Sequence, residues 1–205
     1  MELKTEQEKF WVGDFGDKYI KRNEADWLTA SNLHFFSSAL KFTGKINSCI
    51  EFGANIGMNL KALKLLYPGI TVKGIEINKT ASDLLEIEIG KKNVYNESIL
   101  DIEIDEKFDI SIIKGVLIHI NPEFLDIVYK KLYEVSNSYI LIAEYYNPTP
   151  MSIMYRGHSD KLFKRDFAGD FLEKFPDVKL VDYGFIYKKD PAFPQDDITW
   201  FLLKK

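Results

Sequence analysis

Cysteine is nearly absent from this chain. The single Cys49 excludes an intrachain disulfide, and a reducing cytoplasm is the compartment expected for such a sequence. Histidine is scarce as well: His34, His119 and His158 are all there are, with no closely spaced pair. No zinc-type ligand set is therefore formed, and no metal is expected. No apolar run approaches the roughly 20 residues that cross a bilayer. The opening stretch MELKTEQEKFW is charged and lacks an apolar signal core. Blocks of basic residues are missing too. The 27 Lys and Arg are interspersed with 31 Asp and Glu for a net charge of −4, which argues against a nucleic-acid surface. Repeats, low-complexity tracts and linkers are also lacking.

What is present is a globular balance, 46% hydrophobic and 28% charged over 205 residues, the size of one domain. Apolar runs alternate with helical periodicity, which predicts an α/β fold with a mostly parallel sheet and helices on both faces. Residues 46–52 (INSCIEF) read as the first strand, then a helix MNLKALKLLY stopped by Pro68-Gly69. The second strand falls at 71–77, a helix at 79–89 and a short strand near 93–97. FDISIIKG at 108–115 is the fourth strand, with Pro122 opening the next helix. The fifth strand is SYILIAEYY at 138–146, followed by a helical region over about 159–175. VKLVDYGFIYKK and DITWFLLKK close the chain as an antiparallel C-terminal hairpin, because the link between them is too short for a crossover helix. That makes seven strands. Residues 1–45 stand outside the alternation and divide into two aromatic-rich helices, EKFWVGDFGDKYIKRN and ADWLTASNLHFFSSALKF. They are expected to form a helical lid, or alternatively a packing layer, over the domain at 46–205.

The densest signal is Glu51-Phe52-Gly53-Ala54-Asn55-Ile56-Gly57, directly after the first strand. Gly53 lets the chain turn, and Gly57 lets the following helix pack closely. Glu76 ends the second strand, where a carboxylate accepts both hydroxyls of an adenosine ribose, with Ile77 and Asn78 beside it. A dinucleotide loop requires glycine where Asn55 stands, and no Lys-Ser/Thr pair follows to make a P-loop. An adenosine ligand without phosphates but with cationic groups suits Glu51 better.

The sequence here resembles the class I S-adenosylmethionine (SAM)-dependent methyltransferases over most of its length. Glu51 to Gly57 is similar to their first motif, GIEIN (Gly74 to Asn78) to their second, and FDISIIKGVLIHINP (Phe108 to Pro122) to their fourth-strand segment. Asn55 departs from the pattern, since many members carry glycine there. FWVGDFGDKYIKRN, YNPTP, YRGH with LFKRDFAGDF, and FPQDDITWFLL resemble the methylase family associated with pseudaminic acid biosynthesis. That resemblance implies a Rossmann-like domain binding SAM. It also implies a small sugar-type acceptor, a nonulosonic sugar or its precursor in bacterial surface glycan biosynthesis. It places Ser98 and Ile99, with Asp101 near by, at the adenine, and Lys114 and Gly115 at the methionine portion; the Lys114 side chain is otherwise a solvated one. Tyr19, Arg22 and Asn23 would close on the methionine end.

For the second substrate the expected wall follows the fourth and fifth strands. His119 in VLIHI is the leading base, with His158 and Tyr145 as further catalytic candidates. Asn147, sharing a strand face with Tyr145, and Tyr155 and Arg156 would bind the acceptor, Arg156 as a clamp on a carboxylate. Each has a plainer reading as a core or turn residue, and His34 and Gln195-Asp196-Asp197 read that way first. Methylation at oxygen or nitrogen, and monomer or homodimer, stay open. So do two rivals, a non-catalytic scaffold of the same fold and an NAD-dependent sugar oxidoreductase.

Overall fold

The computed structural model describes residues 3–20 and 26–205. Its helices are α1 (Glu6–Val12), α2 (Asp14–Ile20), α3 (Asp26–Ala39), α4 (Met58–Leu66), α5 (Lys79–Ile89), α6 (Leu125–Val135) and α7 (Phe167–Lys174). The strands are β1 (Ser48–Phe52), β2 (Thr71–Ile75), β3 (Val94–Tyr95), β4 (Phe108–Lys114), β5 (Ser136–Glu144), β6 (Met151–Tyr155), β7 (His158–Lys164), β8 (Lys179–Ile186) and β9 (Ile198–Lys204). Seven of them form one sheet in the order β3-β2-β1-β4-β5-β9-β8. The first five pair in parallel, and β9 runs antiparallel between β5 and β8.

Strand alternation feeds a separate core on each face. Ile50 and Phe52 of β1 join Val128, Leu132 and Phe171 of α6 and α7. Cys49 joins Phe36, Leu60, Leu63 and Leu85 of α3, α4 and α5 on the other. Both layers exclude water, so the central strands are buried on both faces, as parallel sheets require.

Three departures from the sequence pattern have local causes. The predicted first helix is broken at Gly13, whose backbone is extended. α1 itself is started by a capping box, with the Glu8 N–H donating to Thr5 Oγ1 (3.1 Å) and the Thr5 N–H to Glu8 Oε2 (2.7 Å). The fifth strand spans 136–144 rather than 138–146. The helix expected from about 159 is instead strand β7 up to Lys164, and helix begins only at Phe167. Arg156 and Gly157 both have positive φ (52° and 85°) between the paired Tyr155 and His158. Such a two-residue turn commits the chain to a β-hairpin.

These elements leave a cavity of about 600 Å³ over the C-terminal ends of β1, β2, β4 and β5. The helices α1 and α2, the start of α3, the turn of the β6–β7 hairpin and the strap between β8 and β9 wall it in.

Candidate functional site

The loop from Gly53 to Gly57 spends every backbone N–H on itself and its strand neighbours. Gly53 and Ala54 donate to the Ile75 carbonyl (2.9 Å each), Asn55 to Glu76 Oε2 (2.7 Å), Ile56 to Asn55 Oδ1 (2.9 Å) and Gly57 to the Ala54 carbonyl (2.9 Å). Asn55 takes a left-handed φ of 48° in the turn, a conformation asparagine tolerates better than most residues. Gly57 also lies at positive φ, and a Cβ there would meet Leu85 Cδ1 at 2.7 Å. The loop is thus a closed turn with no spare donors for a pyrophosphate.

Glu76 lines the cavity. Its Oε2 takes the Asn55 N–H and its Oε1 the Asn78 N–H (2.8 Å). Burial raises its pKa, while the N–H groups of Asn78, Asn55 and Ile77 pull it back. Asn78 caps α5 through the Ala81 N–H (2.9 Å), and its Nδ2 donates to the Trp11 carbonyl (3.1 Å) and Asp17 Oδ1 (3.0 Å). One side chain therefore fastens both α1 and α2 to the cavity rim. Gly16 makes this contact fit, since a Cβ there would sit 1.9 Å from the Trp11 carbonyl oxygen. Ser98 fastens the other end of α1 by donating to Glu8 Oε1. Asp101, beside it, pairs with Lys4.

Glu51 does not line the cavity, contrary to the sequence expectation. It lies beneath α4, where Asn59 Nδ2 donates to Oε1 at 2.5 Å and Oε2 is buried without a hydrogen-bond partner. Asn59 rather than Glu51 is the wall residue. Burial pushes the Glu51 pKa up to about 8 against the pull of Asn59 and Lys114. Lys114 is half-buried in the wall instead of solvated. Burial lowers its pKa, opposed by the charges of Glu51, Asp196 and Glu144. Gly115 adjoins open space, so its missing side chain leaves the cavity free.

His119 is buried in the wall, its ring 4.8 Å from Trp11 and 5.2 Å from Tyr155. Its Nδ1 bonds the Lys161 carbonyl at 2.6 Å, which makes Nδ1 the protonated nitrogen and Nε2 the lone-pair nitrogen. Burial holds its pKa down to about 4. The turn that carries it is held by Glu144, a residue the sequence did not single out. Glu144 Oε1 accepts from the N–H groups of Val116 and Leu117 (2.9 Å each), and Oε2 from Ile118 (3.4 Å). Burial still raises the Glu144 pKa to about 7.

Tyr145, Tyr155 and Arg156 also line the cavity, with the Arg156 guanidinium 5.5 Å over the Tyr155 ring. Burial raises the Tyr145 pKa, and the neighbouring charge of Asp196 adds to it. Asp196 and Gln195 come from the strap, so the apparent polar turn is part of the wall. Tyr19, Gly53, Ala54, Asn55, Ile77, Asn78, Ser98 and Ile99 complete the expected residues found there, and Gly57 is not among the lining residues. Asn147 and His158 lie outside it. Asn147 is exposed, past the end of β5, and its Nδ2 bonds the Thr149 carbonyl (2.6 Å). His158 sits on the outer side of the hairpin, 5.1 Å from the Phe10 ring, in a separate cleft with Lys4 and Lys161. Arg22 and Asn23 fall outside the described residues. His34 is exposed and stacks on Phe193 of the strap at 4.4 Å. Among the described residues no group of His, Cys, Asp and Glu could hold a metal, and no helix is long and apolar enough to cross a membrane.

No protein-family model matches the chain, and no curated protein does. Solved structures do. The 1,6-didemethyltoxoflavin-N1-methyltransferase of Burkholderia thailandensis, with its toxoflavin precursor and S-adenosylhomocysteine (SAH) bound, superposes with a TM-score of 0.72 at 12% identity, over 97% of this chain and 86% of that one. Magnesium protoporphyrin IX methyltransferase from Synechocystis PCC 6803, with bound SAH, gives 0.69 at 11% identity over 97% of each. Coclaurine N-methyltransferase, bound to N-methylheliamine and SAH, gives 0.62 at 14% identity over 78% of this chain; the chain spans about half that enzyme's length. The fold is that of the class I SAM-dependent methyltransferases.

Proposed function

We propose that the chain is a cytoplasmic SAM-dependent methyltransferase acting on a small sugar acid of the nonulosonic, pseudaminic-acid-like class or its precursor. The closed Gly53–Gly57 loop beside Glu76 carries the cofactor assignment: five N–H groups are spent internally and a carboxylate faces the cavity. That arrangement repels a pyrophosphate and suits an adenosine whose other end is cationic. The SAH-bound neighbours of the same fold support the same choice. Glu76 would hold the ribose hydroxyls, Ser98 and Ile99 the adenine, and the space beside Gly115 and Lys114 the methionine portion.

When bound, SAM supplies an electrophilic methyl group on a sulfonium. The protein's task is then alignment of the acceptor and exclusion of water. Neutral His119, with Nδ1 committed to Lys161, offers Nε2 to an acceptor hydroxyl and orients it. Tyr145, beside Asp196, and Tyr155 supply hydroxyls to a polyhydroxylated ligand, and Arg156 at the rim supplies a carboxylate partner. The fragments FWVGDFGDKYIKRN, YNPTP, YRGH and FPQDDITWFLL support the sugar-acid class by resemblance. The helices α1 and α2 serve as the lid, pinned at Ser98 and Asn78.

Calorimetry with SAH and with NAD tests the cofactor: SAH is expected to bind in the micromolar range, about −8 kcal/mol, and tight NAD binding with no SAH heat would overturn the reading. Sugar acids, free and nucleotide-activated, screened for a SAM-dependent mass gain of one methyl group test the acceptor.

A further inference from the structure

The large sheet ends on β8 with an open edge. β8 pairs with β9 on one side, and among the described residues no strand pairs with it on the other. Such an edge presents a row of backbone N–H and C=O groups to any further strand. The features that usually blunt it fall at its ends: a bulge between Leu180 and Asp182, and Lys179, Lys188 and Lys189. The stretch between them carries none.

That stretch is aromatic on one face. Tyr183, Phe185 and Tyr187 alternate along the chain and are 65%, 61% and 49% exposed. Tyr183 stacks on Phe201 of β9 at 6.3 Å, Phe201 lies 6.2 Å from Tyr146, and Phe185 lies 6.3 Å from Tyr187. Exposed aromatics gathered in one patch mark an interaction surface.

The edge is complementary to itself. A two-fold axis perpendicular to the sheet sets β8 antiparallel to its own copy and keeps each side chain on its own face. With the axis through Phe185, that ring meets the partner's Phe185, and Tyr183 meets the partner's Tyr187. On the other face Asp182 meets the partner's Lys188. Within one chain Asp182 pairs with Lys41 at 3.1 Å and Lys188 with Asp197 at 3.2 Å. The contact therefore joins two ion pairs into a row of alternating sign, Lys41, Asp182, the partner's Lys188 and the partner's Asp197. Shifted axes lose this match. Through Gly184, Asp182 meets the partner's Ile186; through Ile186, it meets the partner's Asp190; through Tyr183, Tyr187 meets the partner's Lys179. Aromatic pairs and opposite charges directly across strands stabilise a sheet, and like charges there destabilise it.

We propose that the chain forms a two-fold dimer by antiparallel pairing of β8 over residues 182–188, centred on Phe185, which joins the two seven-stranded sheets into one. Lys188 also lines the cavity, so the interface adjoins the candidate site of each protomer. The inference is independent of what that cavity binds.

Sedimentation equilibrium on the full chain should give twice the 23.8 kDa of one chain. Phe185→Lys, which sets two ammonium groups against each other on the axis, should weaken association by roughly thirtyfold or more, with the melting curve of the monomer showing that the fold survives. Phe185→Cys should form a disulfide-linked dimer on oxidation, because directly opposed strand residues lie within disulfide reach. Leu180→Cys, exposed but beyond the bulge, should not, and the wild type should not, since Cys49 is buried. A monomeric wild type overturns the inference, and so does a dimer that withstands Phe185→Lys. A dimer broken by Phe185→Lys in which Phe185→Cys fails to cross-link overturns the strand pairing, and leaves the aromatic patch facing something other than its own copy's β8.

Discussion

Replacing Glu76 by glutamine is on paper the mild substitution, since one acceptor oxygen survives for the ribose. The geometry says otherwise. Both Glu76 oxygens already accept a backbone N–H, from Asn55 at 2.7 Å and from Asn78 at 2.8 Å. Either orientation of a glutamine amide sets an NH₂ against one of those N–H groups. The loss is one charge-assisted bond plus a buried donor facing a donor, together about 2–4 kcal/mol. For a chain of this size that lowers the melting temperature by roughly 5–15 °C. SAH affinity falls about a hundredfold, because one ribose contact goes and the Asn55 loop shifts. Glu76→Ala differs in kind. It gives up both ribose contacts, about 3–6 kcal/mol of binding. Water from the cavity then reaches the two N–H groups, so the alanine variant melts higher than the glutamine variant while binding SAH less well. Melting curves and SAH calorimetry on both variants settle the order. A glutamine variant that melts with the wild type and binds SAH within twofold refutes the two-sided clamp.

Stability should vary with pH in two opposed limbs. His119, lowered from 6.5 to about 4, contributes stability that is present above 6.5 and lost as pH falls toward about 4. Glu51 and Glu144, raised from 4.5 to about 8 and about 7, contribute stability present below 4.5 and lost as pH rises through those values. The melting temperature should therefore peak on the acid side of neutrality; His119→Phe should flatten the acid limb and Glu51→Gln the alkaline one, and unchanged limbs would refute the assignments. His119→Phe should also slow single-turnover methyl transfer by roughly 10–100-fold, the scale of one orienting hydrogen bond, with SAH affinity intact. A wild-type rate profile that titrates near 6.5 would restore His119 as a conventional base. Gly16→Ala forces α2 off the Trp11 carbonyl, an overpacking cost of about 1–3 kcal/mol. It should weaken SAH binding and abolish the slowing of amide exchange at residues 10–20 that saturating SAH produces in the wild type; exchange there that ignores SAH would make α1 and α2 a plain packing layer.

How much of this was legible in the sequence depended on how far apart the interacting residues stand. The strand, turn and helix around Glu51–Gly57 and the carboxylate at the end of β2 lie within short windows, where periodicity and glycine placement speak directly. Strand β7 was misread as helix because Leu162 is its one buried apolar side chain, too few to show alternation, and the Arg156-Gly157 turn is the local sign of the hairpin. Other roles were set by residues far along the chain. Glu51 was expected in the ligand site, yet Asn59, in the first turn of α4, takes its carboxylate and stands in the wall instead. Glu144 reads as the tail of a buried strand until β4 and β5 pair and bring the 116–118 N–H groups to it. Gln195 and Asp196 read as a turn until the strap folds over α3.

The pattern behind these misses is physical. Glu51, Glu144 and Gln195 are buried carboxylates and amides whose partners arrive only with tertiary structure. Burial without full pairing is what raises Glu51 to about 8 and Glu144 to about 7 and leaves Glu51 Oε2 and Gln195 Oε1 without donors. Such groups weaken the free protein. Ligand-free protein should be stabilised above about pH 8 by Glu51→Gln, which cannot ionise in its buried place. Melting curves taken without ligand at pH 9 check this, and a Glu51→Gln protein that melts below the wild type there would refute it.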